Sequence, residues 1–247
     1  MIYVKNDEEI SLMKKAGKIV SDTLKLVESL IKEGVTTNYL DSRAEDYIVK
    51  SNAKPSFKGY YGFPSTLCIS VNDQVIHGIP SDRIIEDGDI VSIDCGANIY
   101  GFHADAARTF AVGNVSDAAK KLIEVTRDSF FQSLKYAKEG YLIGDISSSI
   151  QEYVENNGYS IVRDFTGHGI GKDLHEAPEI PNFGRKGTGF YIKKGMAIAI
   201  EPMVNLGKEH VRILDDNWTV VTMDNSLSAH YENTVIITDA DPEIITL

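Results

Sequence analysis

The sequence has few cysteines, no long apolar run and an excess of acidic over basic side chains. Its two cysteines, Cys68 and Cys95, are too few for a disulfide framework and too far apart for a paired metal or redox motif. No apolar run approaches the roughly 18 residues that cross a bilayer, and the first residues carry acids where a signal peptide carries bases. We therefore expect a soluble, cytoplasmic protein with no membrane partner.

Basic residues are scarce relative to acidic ones. Lys and Arg number 25 against 36 Asp and Glu, which gives a formal net charge of -11. A surface with this charge repels nucleic-acid phosphates and acidic membranes, so we expect no stable nucleic-acid binding. The content of 43% apolar and 25% charged residues is typical of a globular protein with a sizeable core.

Apolar spacing predicts helices and strands in a repeated order. Residues 7–33 carry a helical stripe opened by Asn6 and Glu9, a capping-box pair, and closed by Gly34. Thr37 is expected to cap a second helix, which ends before Pro55. The other predicted elements are strands at 66–71, 90–97 and 102–112, helices at 116–138 and 145–156, and further strands beyond them.

The two halves of the chain echo each other. At an offset of 106 residues the segment 32–34 falls on 138–140, and at an offset of 107 Asp94 falls on Glu201. Two helices followed by a sheet, present twice, predict an α+β protein with a pseudo-two-fold axis and a cleft between its halves. We expect a single domain over residues 1–247, with halves at about 1–113 and 114–247.

Asp94 lies within an apolar strand, where an ionised carboxylate is costly without a partner. If residues 98–101 form a symmetric hairpin turn, residues whose numbers sum to 199 face each other, which pairs Asp94 with Asp105. Two ionised carboxylates so placed repel unless a cation lies between them or one is protonated. Alternatively, Asp105 pairs with Arg108 or with backbone amides, and the hairpin alone does not decide between these arrangements.

Three further residues occupy positions that suit metal ligands. Glu201 ends an apolar run before Pro202, Glu232 lies in a predicted strand, and His168 stands in a glycine-flanked turn. Each of these features alone is common in a purely structural role. Together, four carboxylates and one imidazole on sheet positions match the oxygen-rich ligation, with a single nitrogen, of a pair of divalent ions.

Seven segments carry a family resemblance, in matching order and spacing along nearly the whole chain. They are VIHGIP at 75–80, DGDIVSID at 87–94, GFHAD at 101–105, GHGIG at 167–171, LHEAP at 174–178, IEPMV at 200–204 and YENT at 231–234. With these segments the sequence closely resembles the type I methionine aminopeptidases. The resemblance implies the pita-bread fold, an antiparallel sheet with helices on its outer face, in one catalytic domain. It also implies removal of the initiator methionine from nascent proteins whose second residue is small.

The resemblance implies a ligand set for two divalent metal ions, made of Asp94, Asp105, His168, Glu201 and Glu232. Asp105 and Glu232 would bridge both ions, Asp94 would chelate one, and His168 with Glu201 would hold the other. The ions, whether cobalt, manganese, iron, zinc or magnesium, would generate the hydroxide that attacks the peptide bond. Glu201 would accept the proton of the attacking water.

Substrate contacts follow from the same resemblance. His77 and His175 would orient the scissile amide and stabilise the oxyanion. Phe57 stands where a smaller residue is common, and Leu174 where an aromatic is common, so these two positions affect the shape of the pocket. The methionine side chain would enter a pocket suited to a flexible thioether and lined by Tyr60, Phe63, Cys68 and Trp218.

Other functions compete with this interpretation. Aminopeptidase P and prolidase use similar ligands to cleave before proline, but they typically carry a large N-terminal domain for which the residues before the pocket leave no room. A catalytically inactive relative that binds peptides, or a two-metal hydrolase of small amides, is also compatible with the fold. We expect a monomer without N-terminal extensions, and at most transient contact with the ribosome through clusters such as Lys14-Lys15 and Lys193-Lys194.

Overall fold

The fold combines four α-helices with fifteen short strands over residues 2–247, which the computed structural model describes. The helices are α1 (Asp7–Leu30), α2 (Thr37–Lys50), α3 (Asp117–Ser133) and α4 (Ile143–Asn156). The strands of the first half are β1 (Lys54–Pro55), β2 (Leu67–Val71), β3 (Gln74–Ile76), β4 (Ile90–Ile99) and β5 (Phe102–Ala111). Those that follow are β6 (Ser160–Ile161), β7 (Thr166–Gly169), β8 (Glu176–Pro181), β9 (Ala197–Ile200), β10 (Met203–Asn205), β11 (Val211–Ile213), β12 (Val220–Thr222), β13 (Ser228–His230), β14 (Asn233–Ile236) and β15 (Glu243–Ile244).

The hairpin of β4 and β5 is the longest strand pair among these residues. Its turn consists of Tyr100 and Gly101, whose φ angles are 54° and 83°, as a two-residue hairpin turn of right-handed twist requires. Asp94 therefore faces Ala107, and Asp105 faces Gly96. The predicted pairing of Asp94 with Asp105 is wrong, because the turn is centred one residue later and shifts the partner strand by two positions. A shift of two keeps both carboxylates on one face of the sheet.

All strand pairings in the described residues are antiparallel. The strand β4 pairs with β5 along one edge and with β2 and β1 along the other. A second sheet has the order β15-β14-β9-β7-β8. Two backbone hydrogen bonds between Ala107 and Glu232, of 3.0 and 3.3 Å, link β5 to the start of β14. This link joins the strands that carry the candidate ligands of the two halves.

The helix ends follow local capping chemistry. Asn6 and Glu9 form the expected capping box at the start of α1. Thr36, not Thr37, caps α2, since the Thr36 hydroxyl accepts the Tyr39 N–H, whereas the Thr37 hydroxyl donates to the Ser81 carbonyl. The remaining helix predictions differ at their ends: α1 stops at Leu30, α3 ends in a 3-10 turn, and α4 begins two residues early.

The apolar core forms two large clusters and one small one. In the first cluster, α1 and α2 residues such as Met13 and Leu40 pack on β2, β4 and β5. In the second, α3 and α4 residues such as Phe130 and Ile146 pack on the strands of the second half. Helices thus cover the outer faces of the sheets, which leaves the inner faces for the candidate ligands. None of the helices in residues 2–247 has the length and apolar content to cross a bilayer.

The carboxyl-terminal segment packs closely on α1 at Gly17. A Cβ atom at this position would lie 2.1 Å from the carbonyl oxygen of Ile245. The first core therefore depends on a glycine in the middle of a helix, where alanine would otherwise be favoured by about 1 kcal/mol.

We expect Gly17→Ala to lower the free energy of unfolding by about 1 to 3 kcal/mol, because the added methyl displaces the backbone at Ile245, directly after the last strand. Urea denaturation measures the change. The control is Lys18→Ala, which alters the exposed neighbour in the same helix and should shift the midpoint little. A stability of Gly17→Ala equal to or above wild type would contradict the close packing.

Candidate active site

The sequence-predicted site residues all line one cavity. The cavity has a volume of about 170 Å³ and opens to solvent on one side. Its lining comprises Phe57, Tyr60, Tyr61, Phe63, Cys68, His77, Asp94, Asp105, His168, Leu174, His175, Glu201, Trp218 and Glu232. Residues from both halves of the chain thus meet around a single space, although they are up to 175 positions apart in sequence.

Asp94 and Asp105 enter the cavity from the first half. Asp94 lies opposite Cys68 of β2, and its Oδ1 atom is buried without a hydrogen-bond partner in residues 2–247. The Oδ1 atom of Asp105 lies 3.0 Å from the hydroxyl of Thr234, which also accepts the backbone N–H of Asp105. Arg108 does not pair with Asp105, so one of the arrangements left open by the sequence does not occur.

Arg108 instead supports the backbone next to Glu232. Its guanidinium donates to the carbonyl oxygens of Glu232 at 2.5 Å and Ala107 at 2.8 Å, and to Asn233 Oδ1 at 2.7 Å. The guanidinium also stacks 4.4 Å from the centre of the Tyr231 ring. All these acceptors are neutral, so Arg108 forms no ion pair in the cavity; its charge lowers the pKa of Glu232, but burial and the neighbouring acids outweigh it.

His168 of β7 approaches the carboxylates from the second half. Its Nε2 atom lies 3.5 Å from Asp105 Oδ2 and 3.6 Å from Glu201 Oε1. Its Nδ1 atom lies 2.9 Å from the carbonyl oxygen of Gly169, which can only accept, so Nδ1 carries the proton of the neutral ring. Burial lowers the pKa of His168 to about 4, which keeps the ring neutral. The Nε2 lone pair therefore points toward two carboxylates.

Burial raises the pKa of every carboxyl group in the cavity. The pKa of Asp105 rises to about 6 through burial. Burial, followed by the charge of Asp105, also raises the pKa values of Asp94, Glu201 and Glu232 above their usual range. Four neighbouring carboxylates without a compensating cation repel one another, so the cavity disfavours its own ionised state.

These residues fit a divalent metal site. Donor atoms of Asp105, His168 and Glu232 all lie within 4.8 Å of one another. A neutral imidazole lone pair that faces carboxylates is unfavourable by itself, but the arrangement becomes favourable when both bind a cation. The same cation would give the buried, unpartnered oxygen of Asp94 a binding partner. The donor set of oxygens with one nitrogen suits borderline and hard divalent ions.

His77 occupies a strained backbone position at the cavity wall. Its φ angle is 57°, in the left-handed region that non-glycine residues seldom adopt. The next residue, Gly78, is pinned against β2, since a Cβ atom there would lie 2.2 Å from the Ile69 carbonyl oxygen. The ring packs edge-to-face on Phe165 and Trp218, and burial lowers its pKa to about 4. His77 is therefore a neutral side chain held in one place.

His175 faces the cavity from the loop before β8. Its ring lies 4.3 Å from the ring of His168, and its Nδ1 atom shares a hydrogen bond of 3.0 Å with the Tyr60 hydroxyl. Burial, together with the nearby His168, lowers its pKa to about 4. With Nδ1 engaged by Tyr60, the Nε2 atom is the ring nitrogen free to contact a ligand.

The remaining wall of the cavity is aromatic and sulfur-lined. The rings of Phe63 and Trp218 meet edge-to-face at 5.1 Å, and Cys68 is buried beside them. Burial raises the pKa of the Cys68 thiol well above its usual range, so the thiol is a packing group rather than a nucleophile. Phe57 and Leu174, the two departures from the expected pattern, both lie in this lining.

Two side chains behind the carboxylates, His230 and Thr234, were not predicted from the sequence to belong to the site. His230 is buried with an unpartnered Nε2 atom 3.8 Å from Glu201 Oε2, and Thr234 contacts Asp105. The alternation of His230, Glu232 and Thr234 was the available signal, since residues two apart share a face of an extended chain, although the structure divides this segment between β13 and β14 and leaves Glu232 outside both.

Comparison with known proteins gives a consistent result. The sequence profile described as Metallopeptidase family M24 matches residues 11–239. A methionine aminopeptidase of Clostridium perfringens (strain 13 / Type A) is 59% identical over 247 residues, covering 100% of this chain and 99% of that protein. The crystal structure of methionine aminopeptidase from Rickettsia prowazekii matches with a TM-score of 0.98 and 41% identity, covering 100% of both chains. A prolidase from Pyrococcus furiosus matches with a TM-score of 0.81 and 25% identity, and the match covers 99% of this chain but 65% of that one.

The raised pKa of Asp105 predicts a pH-dependent gain in stability for Asp105→Asn in metal-free protein. An acid with a raised folded pKa destabilises the fold as pH rises through that value, here about 6, and has no such effect below its unfolded value. With chelator present, the variant should match wild type near pH 4 and exceed its free energy of unfolding by about 1 to 3 kcal/mol near pH 8.

Urea denaturation of both proteins at several pH values measures this difference. Loss of the Asp105 charge also relieves the neighbouring acids whose pKa values it raises, which adds to the gain at pH 8. Asp241→Asn, at an exposed acid on the surface, is the matched control and should show no gain at high pH. A variant less stable than wild type at pH 8 would contradict the assignment of a destabilising buried charge.

Proposed function

The chain belongs to metallopeptidase family M24, and from that premise we propose that it is a methionyl aminopeptidase, a metal-dependent hydrolase that removes an N-terminal methionine. The family resemblance seen in the sequence and the pita-bread fold that it implied are confirmed. The observation that carries the proposal is the neutral His168 with its Nε2 lone pair directed at buried carboxylates, next to a cavity wall that suits a thioether.

The proposed metal ligands are the four carboxylates and His168. Asp94, Asp105, His168, Glu201 and Glu232 would together hold the divalent ions, and donor atoms of Asp105, His168 and Glu232 already lie within 4.8 Å of one another. Such ions, when bound, supply a nucleophile at neutral pH and polarise the scissile carbonyl. Cobalt, manganese, iron, zinc and magnesium all accept this donor set.

Chain residues supply the proton transfers and the orientation of the substrate. Glu201 would accept a proton from the attacking water, since its carboxylate lines the cavity beside His168. His77 and His175 are neutral, so each can donate a ring N–H to the scissile amide or to the oxyanion without carrying a charge into the cavity. Strain at His77 and the bond from Tyr60 to His175 hold both rings in place before substrate binds.

The methionine side chain would pack against the aromatic and sulfur-lined wall of the cavity. Tyr60, Phe63, Cys68 and Trp218 provide an apolar surface against which a thioether packs favourably, and the cavity volume of about 170 Å³ suits one side chain of this size. Phe57 and Leu174 also line the cavity and contribute to its shape. The substrate class that follows is the N-terminal methionine of nascent polypeptides with a small second residue.

We propose that the protein is a cytoplasmic monomer that contacts the ribosome at most transiently. The two lysine clusters considered for that contact are partly neutralised, because Lys14 pairs with Glu243 and Lys194 pairs with Asp239. With a net charge of -11, the surface offers no broad basic face for RNA.

Proline-specific cleavage and a purely binding role are less favoured. The match to a prolidase spans 65% of that protein with 25% identity, against 99% and 59% for a methionine aminopeptidase. A peptide-binding relative would not require four carboxylates with raised pKa values in one cavity, which cost stability unless a cation binds.

Cleavage of a peptide mixture tests the function directly. Metal-stripped protein reconstituted with manganese or cobalt should release methionine from Met-Ala peptides and leave Met-Lys, Leu-Ala and Ala-Pro peptides intact, because the pocket accepts the thioether and the second residue must be small. Mass spectrometry follows each product. Cleavage of Ala-Pro instead would indicate the proline-specific branch, and no cleavage with any metal would indicate a binding protein.

Asp105→Asn should abolish activity and metal content while it leaves the fold intact. The amide oxygen of the variant still accepts from Thr234, but the variant lacks the negative charge that would hold the ions. We expect kcat/KM to fall by at least about a thousandfold and bound metal, measured by elemental analysis, to fall below one ion per chain. Asp241→Asn is again the matched control. Full activity in Asp105→Asn would rule out the dinuclear assignment.

A further inference from the structure

The segment before α1 carries a buried lysine, Lys5, that does not itself line the cavity. The backbone N–H of Lys5 donates to the Gly195 carbonyl oxygen at 2.8 Å. The Lys5 Nζ atom lies 2.6 Å from Glu176 Oε2 and donates to the Tyr3 carbonyl oxygen at 3.2 Å. The Lys5 side chain is 1% exposed and that of Glu176 is 11% exposed. Lys5 and Glu176 therefore form a buried ion pair between the N-terminal segment and the start of β8.

Two glycines make room for this segment. A Cβ atom at Gly171 would lie 2.6 Å from Lys5 Cε, and one at Gly195 would lie 2.7 Å from the Lys5 carbonyl oxygen. The N-terminal segment passes between these two positions, and side chains on either side would push it away. Lys5 reaches Glu176 only because neither Gly171 nor Gly195 has a Cβ atom.

Glu176 organises the loop that ends in the site. Its Oε1 atom accepts the backbone N–H groups of Lys172 at 2.8 Å and Asp173 at 3.3 Å. The Gly171 N–H donates to the Asp173 carbonyl oxygen, and the Gly171 carbonyl oxygen accepts from His103 on β5. The loop over residues 171–175 thus folds around one carboxylate, whose other oxygen is bound by Lys5.

His175 is the last residue of this loop. Its ring faces His168 at 4.3 Å, and it forms no part of a strand. Tyr60 fixes the orientation of the ring, while the position of its backbone depends on the loop and on Glu176 directly after it. A displacement of this loop would move the His175 ring relative to the carboxylates.

A buried ion pair is weak support for stability, because the desolvation of both charges offsets their attraction. Lys5 does not contact the cavity, so it has no direct part in the proposed chemistry. We propose that Lys5 is a positioning residue, which acts through Glu176 to hold His175 at the cavity. The inference rests on the proposed function of His175 in substrate contact.

The test uses a neutral pair, because Lys5→Met alone would leave Glu176 buried without its partner. The double variant Lys5→Met/Glu176→Gln removes both charges and keeps the carbonyl oxygen that accepts the two loop N–H groups. We expect kcat/KM for a Met-Ala peptide to fall about tenfold to a hundredfold, mainly through kcat, with metal content and thermal midpoint near wild type. Lys14→Met, which removes an exposed ion-paired lysine, is the control.

A double-mutant cycle separates positioning from general damage. In a His175→Ala background the Lys5→Met/Glu176→Gln change should alter kcat/KM by less than about twofold, because the group it positions is absent. A loss of equal size in both backgrounds, or wild-type kcat/KM in the double variant, overturns the proposal.

Nitrogen NMR of the histidine rings gives a readout that does not depend on activity. In metal-free protein the double variant should shift the His175 ring resonances while those of His77 stay within experimental error. Unchanged His175 resonances overturn the positioning role. Failure of the wild-type holoenzyme to cleave Met-Ala would instead count against the proposed function, so the two failures are distinguishable.

Discussion

The repulsion among four carboxylates buried around one cavity is the constraint on which the rest of the site depends. Burial raises the pKa of each acid, and the one imidazole among them is neutral with a lone pair facing their oxygens. The charge of Arg108 lowers the pKa of Glu232, but burial outweighs this effect, and the guanidinium donates its hydrogen bonds to neutral acceptors. The fold must therefore be stable enough without a cation to hold an arrangement that only a cation makes favourable.

Both halves of the chain contribute to that stability. Asp94 and Asp105 lie on the β4/β5 hairpin, while His168 lies on β7 and Glu201 directly follows β9 in the sheet of the second half. The backbone pairing of Ala107 with Glu232 joins the two sheets at the cavity. Rigid strands thus set the separations of the ligands, and metal binding would in turn tie the halves together.

The residues proposed to contact substrate are held by a different means. His77 and His175 lie outside regular strands, and local devices fix each of them: a strained φ with a pinned glycine for His77, a tyrosine bond and an ion-paired loop for His175. Loops can place side chains in orientations that regular strands do not allow, but they are more mobile than strands. Backbone strain at one position and a buried ion pair at the other restrict this mobility.

The local pattern of the sequence was sufficient to predict the helices, the capping box at Asn6 and the hairpin containing Asp94 and Asp105, because caps and apolar periods act over a few residues. The family motifs further predicted which acids would share a site. The hairpin register was predicted two residues out, since it depends on which pair adopts positive φ, here Tyr100 and Gly101. Only the tertiary structure decided the tautomer of His168, the use of Arg108 and the pairing of Lys5 with Glu176, because each depends on atoms brought together from segments far apart in the chain.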